Sequence, residues 1–148
     1  MDVKNCIADF QLIGTKTTTI ALKNTFLQLP PLEQLKLQYD VEYEITSLQK
    51  DDSVWIGILN LSVKASAREN KSRKLSISLS IEGGFVAPLE VPEDEMKELL
   101  SLNGCATLYA IARAQIVTIT SQSLSGGQLI LPMTNFFKLK EAKGEHTH

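Results

Sequence analysis

From Leu37 to Thr46 the chain alternates without a break, with Leu37, Tyr39, Val41, Tyr43 and Ile45 set against Gln38, Asp40, Glu42, Glu44 and Thr46. A period of two sends the first set to one face of a strand and the acids to the other. Gln49 to Ser53 is a polar turn, and Val54 to Ala67 predicts a long second strand of this type. Its apolar parity changes: Val54, Ile56 and Ile58 are even, whereas Leu59, Leu61, Val63 and Ala65 are odd, which predicts a β-bulge between Gly57 and Leu59. Leu75, Ile77, Leu79 and Ile81 alternate with serines and Glu82, so another antiparallel strand follows by a hairpin and ends at Gly83-Gly84. Phe85, Val86 and Pro88 then form an apolar loop. Residues 3 to 22 alternate more loosely and predict one interrupted strand. Phe26 to Leu32 is rich in apolar side chains, but Pro30 and Pro31 keep it out of a helix or a central strand.

The period then lengthens. Pro92-Glu93-Asp94-Glu95 opens a short helix, with proline in the first turn and acids complementing the dipole. Met96, Leu99 and Leu100 give it a buried side, and Asn103-Gly104 is expected to stop it. Ala106 to Leu124 predicts a helix nearly 30 Å long, at ~1.5 Å per residue, with Leu108, Ile111 and Ile116 near an apolar stripe. Residues Ile116 to Thr120 are all β-branched and would favour a strand on propensity alone. The periodicity before them, and the lack of a turn between Leu108 and Ile116, argue for one continuous helix. A Ser-Gly-Gly break at 125 to 127 leads to a brief apolar strip ending in Pro132, then to Phe136 and Phe137. Lys140 to His148 is polar and expected to fray, leaving one domain over residues 1–139 and a flexible tail over 140–148.

Composition narrows the function classes. A chain of 148 residues, 43% hydrophobic and 22% charged, has the make-up of one ordinary globular domain. No apolar run approaches the ~20 residues of a membrane span, and the first residues lack a signal-peptide pattern, so a cytoplasmic location is expected. A net charge of −2 gives no footprint for nucleic acid. Arg68, Lys71, Arg73 and Lys74 read as a solvated hairpin tip. Cys6 and Cys105 lack metal-ligand spacing and read as buried thiols. Both histidines, His146 and His148, sit in the tail, where an orienting shell is hard to build. Neither catalytic residues, a metal site nor a cofactor is expected, and the protein does not read as an enzyme.

What remains is an apolar surplus. Phe26, Leu27, Leu29, Leu32, Phe85, Met133, Phe136 and Phe137 fall on predicted connections or short pieces. Apolar groups beside open backbone edges suit the binding of extended, unfolded polypeptide. The alternative is that they seal the core or an oligomer interface.

At these positions the chain resembles the SecB protein-export chaperones. The resemblance runs from about Leu37 to Leu139 and rests on Ser62-Val-Lys-Ala-Ser-Ala67, Gly83-Gly84-Phe85, Gly104-Cys105, Tyr109-Ala-Ile-Ala-Arg113 and Leu131-Pro132 leading to Asn135-Phe136. Two of the family's words are lengthened here: its Tyr-Ala-Arg becomes Tyr109, Ala112, Arg113, and its Pro-Val-Asn-Phe becomes Pro132-Met-Thr-Asn135-Phe136. The resemblance implies an α+β fold in which a four-stranded antiparallel sheet carries one long and one or two shorter helices on one face. It implies an ATP-independent holdase assembled as a dimer of dimers, with the long helices meeting through Ala106, Ala110 and Ala114. Leu27, Leu29, Leu32, Phe85, Phe136 and Phe137 are the client contacts expected, the client being an unfolded preprotein. SecB offers the SecA motor acids on its sheet and a metal-binding tail. The matching positions here are Leu79, Thr17 and Ala21, and the tail lacks cysteine, so docking to SecA stays open. Some SecB-like proteins instead hold an aggregation-prone antitoxin beside its toxin, and an antitoxin is the alternative client.

Overall fold

Two hairpins build most of the sheet. The computed structural model describes residues 8–145, in which β1 (Gln11–Asn24), β2 (Lys36–Lys50), β3 (Val54–Arg68) and β4 (Lys74–Pro88) precede α1 (Glu93–Leu99), α2 (Cys105–Ser123) and α3 (Phe136–Glu145). Asp51 turns the first hairpin by accepting the backbone N–H groups of Ser53 and Val54, both at 2.7 Å. Asn70 does the same for Ser72 and Arg73 in the second, both at 2.9 Å. β1 then pairs with β4 rather than with its sequence neighbour, so the antiparallel strand order is β1-β4-β3-β2. The connection from β1 to β2 must therefore cross the whole sheet, about 14 Å at ~4.8 Å per strand.

The inner face of the sheet is a column of odd-numbered residues. Leu59, Leu61, Val63 and Ala65 of β3 and Leu75, Ile77, Leu79 and Ile81 of β4 are all buried. Against them lie Met96, Leu100, Leu108, Ala112 and Ile116. This is the α+β architecture expected, with the helices on one face.

Local expectations fail at several points. The bulge sits in β2, not β3: Ile45 faces Leu59 and Ser47 faces Ile58, so Thr46 is the extra residue. Its effect is to rephase β2, placing Leu48 opposite the inward Gly57. Ile56 and Ile58 belong to the outer face, where Ile13 and Ile58 converge over Gly84. Gly83-Gly84 does not end β4, because the absence of a side chain at Gly83 is what admits the Leu108 methyls, one of which would lie 2.7 Å from a Cβ there. Phe85 is consequently an inward strand residue stacked on Phe10 at 5.0 Å, not a loop residue. Asn103-Gly104 does not stop a helix either. Leu100–Gly104 is a π-turn that joins α1 to α2 without a break. Gly104 is buried there, and a Cβ on it would lie 3.0 Å from Leu59. Finally, the first strand begins at Gln11 among the described residues, and α3 continues to Glu145, past the expected start of the tail.

The β-branched end of α2 is helical, as expected. Its hydroxyls are satisfied within the helix: Thr118 donates to the Ala114 carbonyl at 3.0 Å, Thr120 to Ile116 at 2.8 Å and Ser123 to Ile119 at 2.7 Å.

Candidate functional site

The crossover and the segment after α2 run side by side on the helix face. Phe26 anchors the crossover as a buried plug, and Asn24 fixes it by accepting its N–H at 2.9 Å and donating to its carbonyl at 2.8 Å. Ser125 then donates its N–H to the Leu27 carbonyl at 2.8 Å, and Leu29 donates to Gly126 at 3.0 Å. Gly127 has φ +86°, and a Cβ there would lie 2.8 Å from the Leu29 Cβ, so glycine is required on two counts.

Residues 124–135 form a strap over the core. Leu129 and Leu131 point in and are buried, while Ile130 between them points out. Three groups on α2 pin its backbone. Thr120 accepts the Leu129 N–H at 2.9 Å, Arg113 Nε donates to the Leu131 carbonyl at 3.1 Å, and the Tyr109 hydroxyl donates to the Pro132 carbonyl. Arg113 Nη1 also lies 3.1 Å from the Met133 Sδ. Arg113 thus helps to hold the strap. Asn135 opens α3 by accepting the Lys138 N–H at 3.1 Å, and Phe136 turns inward, edge-on to Tyr109 at 5.5 Å.

These anchors leave apolar side chains displayed. Leu27 is 80% exposed, Met133 83% and Phe137 57%, with Leu32 and Ile130 also exposed. Three of the six residues expected to contact a client therefore stand at the surface: Leu27, Leu32 and Phe137. Leu29 is half-buried. Phe85 and Phe136 are enclosed, 1% and 6% exposed, so neither is open to a client in this arrangement; the pleat of β4 and the Tyr109 ring claim them. Ile130 and Met133, outside that set, are exposed instead. Ile130 could have been read from the Leu-Ile-Leu alternation before Pro132 as the outward member of an extended strip.

Ala106, Ala110 and Ala114 all lie on the outward face of α2 with Thr118, and all four are exposed. Ala110, Ala114 and Thr118, with Ile111, Ile119 and Ile20, line a shallow trough of about 600 Å³.

At the far edge of the sheet, Leu139, Ala142 and Lys143 of α3 and residues 40–44 of β2 border a trough of about 700 Å³. The Lys143 ammonium donates to the Tyr43 carbonyl and sits 4.1 Å from the centre of the Tyr43 ring. Asp40, Glu42 and Glu44 are exposed on the outer face.

Acid–base chemistry is sparse. Burial pushes the Cys105 thiol up to about 12, although Lys143 pulls the other way, so it stays protonated and unreactive at neutral pH. Burial also raises Tyr39 and Tyr43. Among the described residues there is no group of three or more metal-ligating side chains, and no helix is long and apolar enough to cross a membrane. Cys6, His146 and His148 lie outside the described residues.

No family model and no curated protein sequence matches the chain. Its structure does have counterparts. One is the SecB-like chaperone of Mycobacterium tuberculosis, solved in complex with a ChAD peptide from the HigA1 antitoxin; it is 17% identical, with a TM-score of 0.57 over 86% of this chain and 91% of that one. Another is a protein of unknown function from Streptococcus agalactiae, 14% identical, with a TM-score of 0.48 over 84% of this chain and 97% of that one. The fold of this chain is SecB-like.

Proposed function

We propose that this protein is a chaperone that holds unfolded or nonnative polypeptide against its exposed apolar side chains without any covalent step. The observation that supports it most is the display of Leu27, Ile130 and Met133 on two segments whose backbones are pinned by Asn24, Thr120, Arg113 and Tyr109, with Phe137 exposed at the start of α3. Exposed apolar side chains held on an ordered frame need no further ordering when a client arrives, which lowers the entropic cost of binding. Each 100 Å² of client apolar surface covered contributes about 2.5 kcal/mol of gross hydrophobic free energy, from which the cost of ordering the client is subtracted. The thioether of Met133 adapts to varied client shapes. The reading is of a holdase that needs no ATP, acts in the cytoplasm and serves protein export.

A dedicated antitoxin chaperone is the second reading, favoured by the antitoxin peptide in the M. tuberculosis complex of the same fold. Under either reading the outward α2 face, with Ala106, Ala110 and Ala114, is the proposed contact between copies in a dimer of dimers, since small side chains let two helices approach closely.

The test is a triple variant, Leu27→Ser, Met133→Ser and Phe137→Ser, assayed for suppression of aggregation of a chemically unfolded protein. All three side chains are exposed, so the fold and the assembly state by light scattering should be unchanged while suppression drops at least tenfold. Full suppression by the folded triple variant would remove these three side chains from the site. Competition between an unfolded preprotein and an antitoxin segment separates the two readings.

A further inference from the structure

The end of the sheet where β3 turns into β4 concentrates like charge. Lys36 of β2 stands opposite Arg68 of β3, and Arg68 opposite Lys74 of β4, so three cations lie side by side in one row. At ~4.8 Å per strand their Cα positions span about 10 Å. The row belongs to the outer face, since Ala67 and Leu75 beside it are buried. Lys23 lies one row further in, opposite Ser76, and Lys71 and Arg73 sit on the turn. Like charges directly opposite destabilise a sheet. No carboxylate offsets this row, because Lys36, Arg68 and Lys74 join none of the ion pairs among the described residues. The carboxylates on segments 23–36 and 68–74 are Glu33 and Glu69, and Glu69 is paired with Arg73 at 3.8 Å. A local rule broken without compensation inside the fold marks a working surface.

The cationic turn is also fastened to the crossover. Thr25 donates its N–H to the Lys74 carbonyl at 3.0 Å, and its hydroxyl accepts the Lys74 N–H at 2.8 Å and donates to the Ser72 carbonyl at 3.0 Å. Two residues on, the exposed Leu27 shares a shallow pocket of about 360 Å³ with Thr25, Gln28 and Arg73. An apolar contact and a block of unpaired cations are thus neighbours on one ordered frame. We propose that this cationic end recognises an acidic flank of the client, so that the protein selects unfolded segments in which an apolar stretch on Leu27 adjoins aspartates and glutamates. The inference rests on the chaperone reading and adds the client class, with Arg68 offering a carboxylate two parallel donors and the lysines point charges. Single-stranded nucleic acid is a poorer occupant: the outward row beside the cations carries Gln38, Ser66 and Ser76, and base stacking needs rings.

The probes are fluorescent peptides that share one apolar core and carry a run of glutamates, glutamines or lysines on one side, titrated by anisotropy. The glutamate peptide should bind roughly tenfold more tightly than the glutamine peptide in dilute buffer, and the lysine peptide more weakly than either. High salt should shrink the advantage severalfold. Arg68→Thr relieves the repulsion, so it should fold with an unchanged or higher denaturation midpoint while the preference for glutamate falls roughly threefold or more. Lys97→Thr removes the same charge from α1, where Lys97 pairs with Glu93, and should leave the preference intact. A preference retained in folded Arg68→Thr overturns the inference, as does one lost equally in Lys97→Thr. Tighter binding of an unstructured oligonucleotide than of the glutamate peptide also overturns it. A protein that suppresses aggregation of an unfolded protein yet ignores flank charge, or all three peptides, overturns it too and leaves the chaperone reading standing. Failure to hold any unfolded protein sinks that reading itself.

Discussion

Cys105 shows how far a single side chain can be read before its surroundings are known. The sequence identifies a buried thiol, and the structure places it fully buried where the π-turn meets α2. Its pKa moves from 9.0 to about 12, so the folded state keeps the thiol proton that the unfolded chain gives up. That contribution to stability is complete below pH 9 and is lost as the pH rises toward 12. Over that window unfolding free energy should fall by about 1.4 kcal/mol per pH unit from this group. Denaturant titrations should show a shallower alkaline decline in Cys105→Ala than in the wild type; identical slopes would show that the thiol is not desolvated. The residues misread in the sequence share a cause. Phe85 and Gly83 look like a turn followed by a loop, because nothing local reports that Leu108, distant in sequence, fills the space above Gly83.

At the scale of elements, period-two alternation located β2, β3 and β4, and apolar spacing located α2 through its β-branched end. Long-range partners decided the rest. Asn103-Gly104 carries a helix-stop signal, yet the Gly104 seat against Leu59 and Phe85 favours a π-turn that keeps the helix going. The strap was legible only as an apolar strip, since its order comes from side chains on α2. Arg113→Met removes the bond to the Leu131 carbonyl while keeping an apolar stem, and should speed hydrogen exchange of residues 129–134. It should cost stability by about 1 kcal/mol and weaken client binding more than the thermal stability loss alone explains. Client affinity unchanged alongside a loosened strap would separate order in the strap from function.

For the whole molecule, the crossing of the β1 to β2 connection over the sheet explains why so many apolar residues lie outside regular elements. Phe26 is spent on sealing the core, and Leu27 is left outside. The same division separates Phe136 from Phe137 at the start of α3, which no periodicity in so short a segment distinguishes. The SecB-like fold was readable from words spread over the chain, while the exposure of the expected client contacts was only half readable: Leu27, Leu32 and Phe137 stand at the surface, and Phe85 and Phe136 belong to the interior. Methionine gives the most direct test of whether those exposed groups meet clients, because Met133 is exposed and Met96 is wholly buried in the same subunit. With the methionine methyl groups carbon-13 labelled, saturation with a chemically unfolded protein should shift and broaden the Met133 resonance and leave Met96 in place. Binding of that protein with the Met133 resonance unmoved would contradict the account.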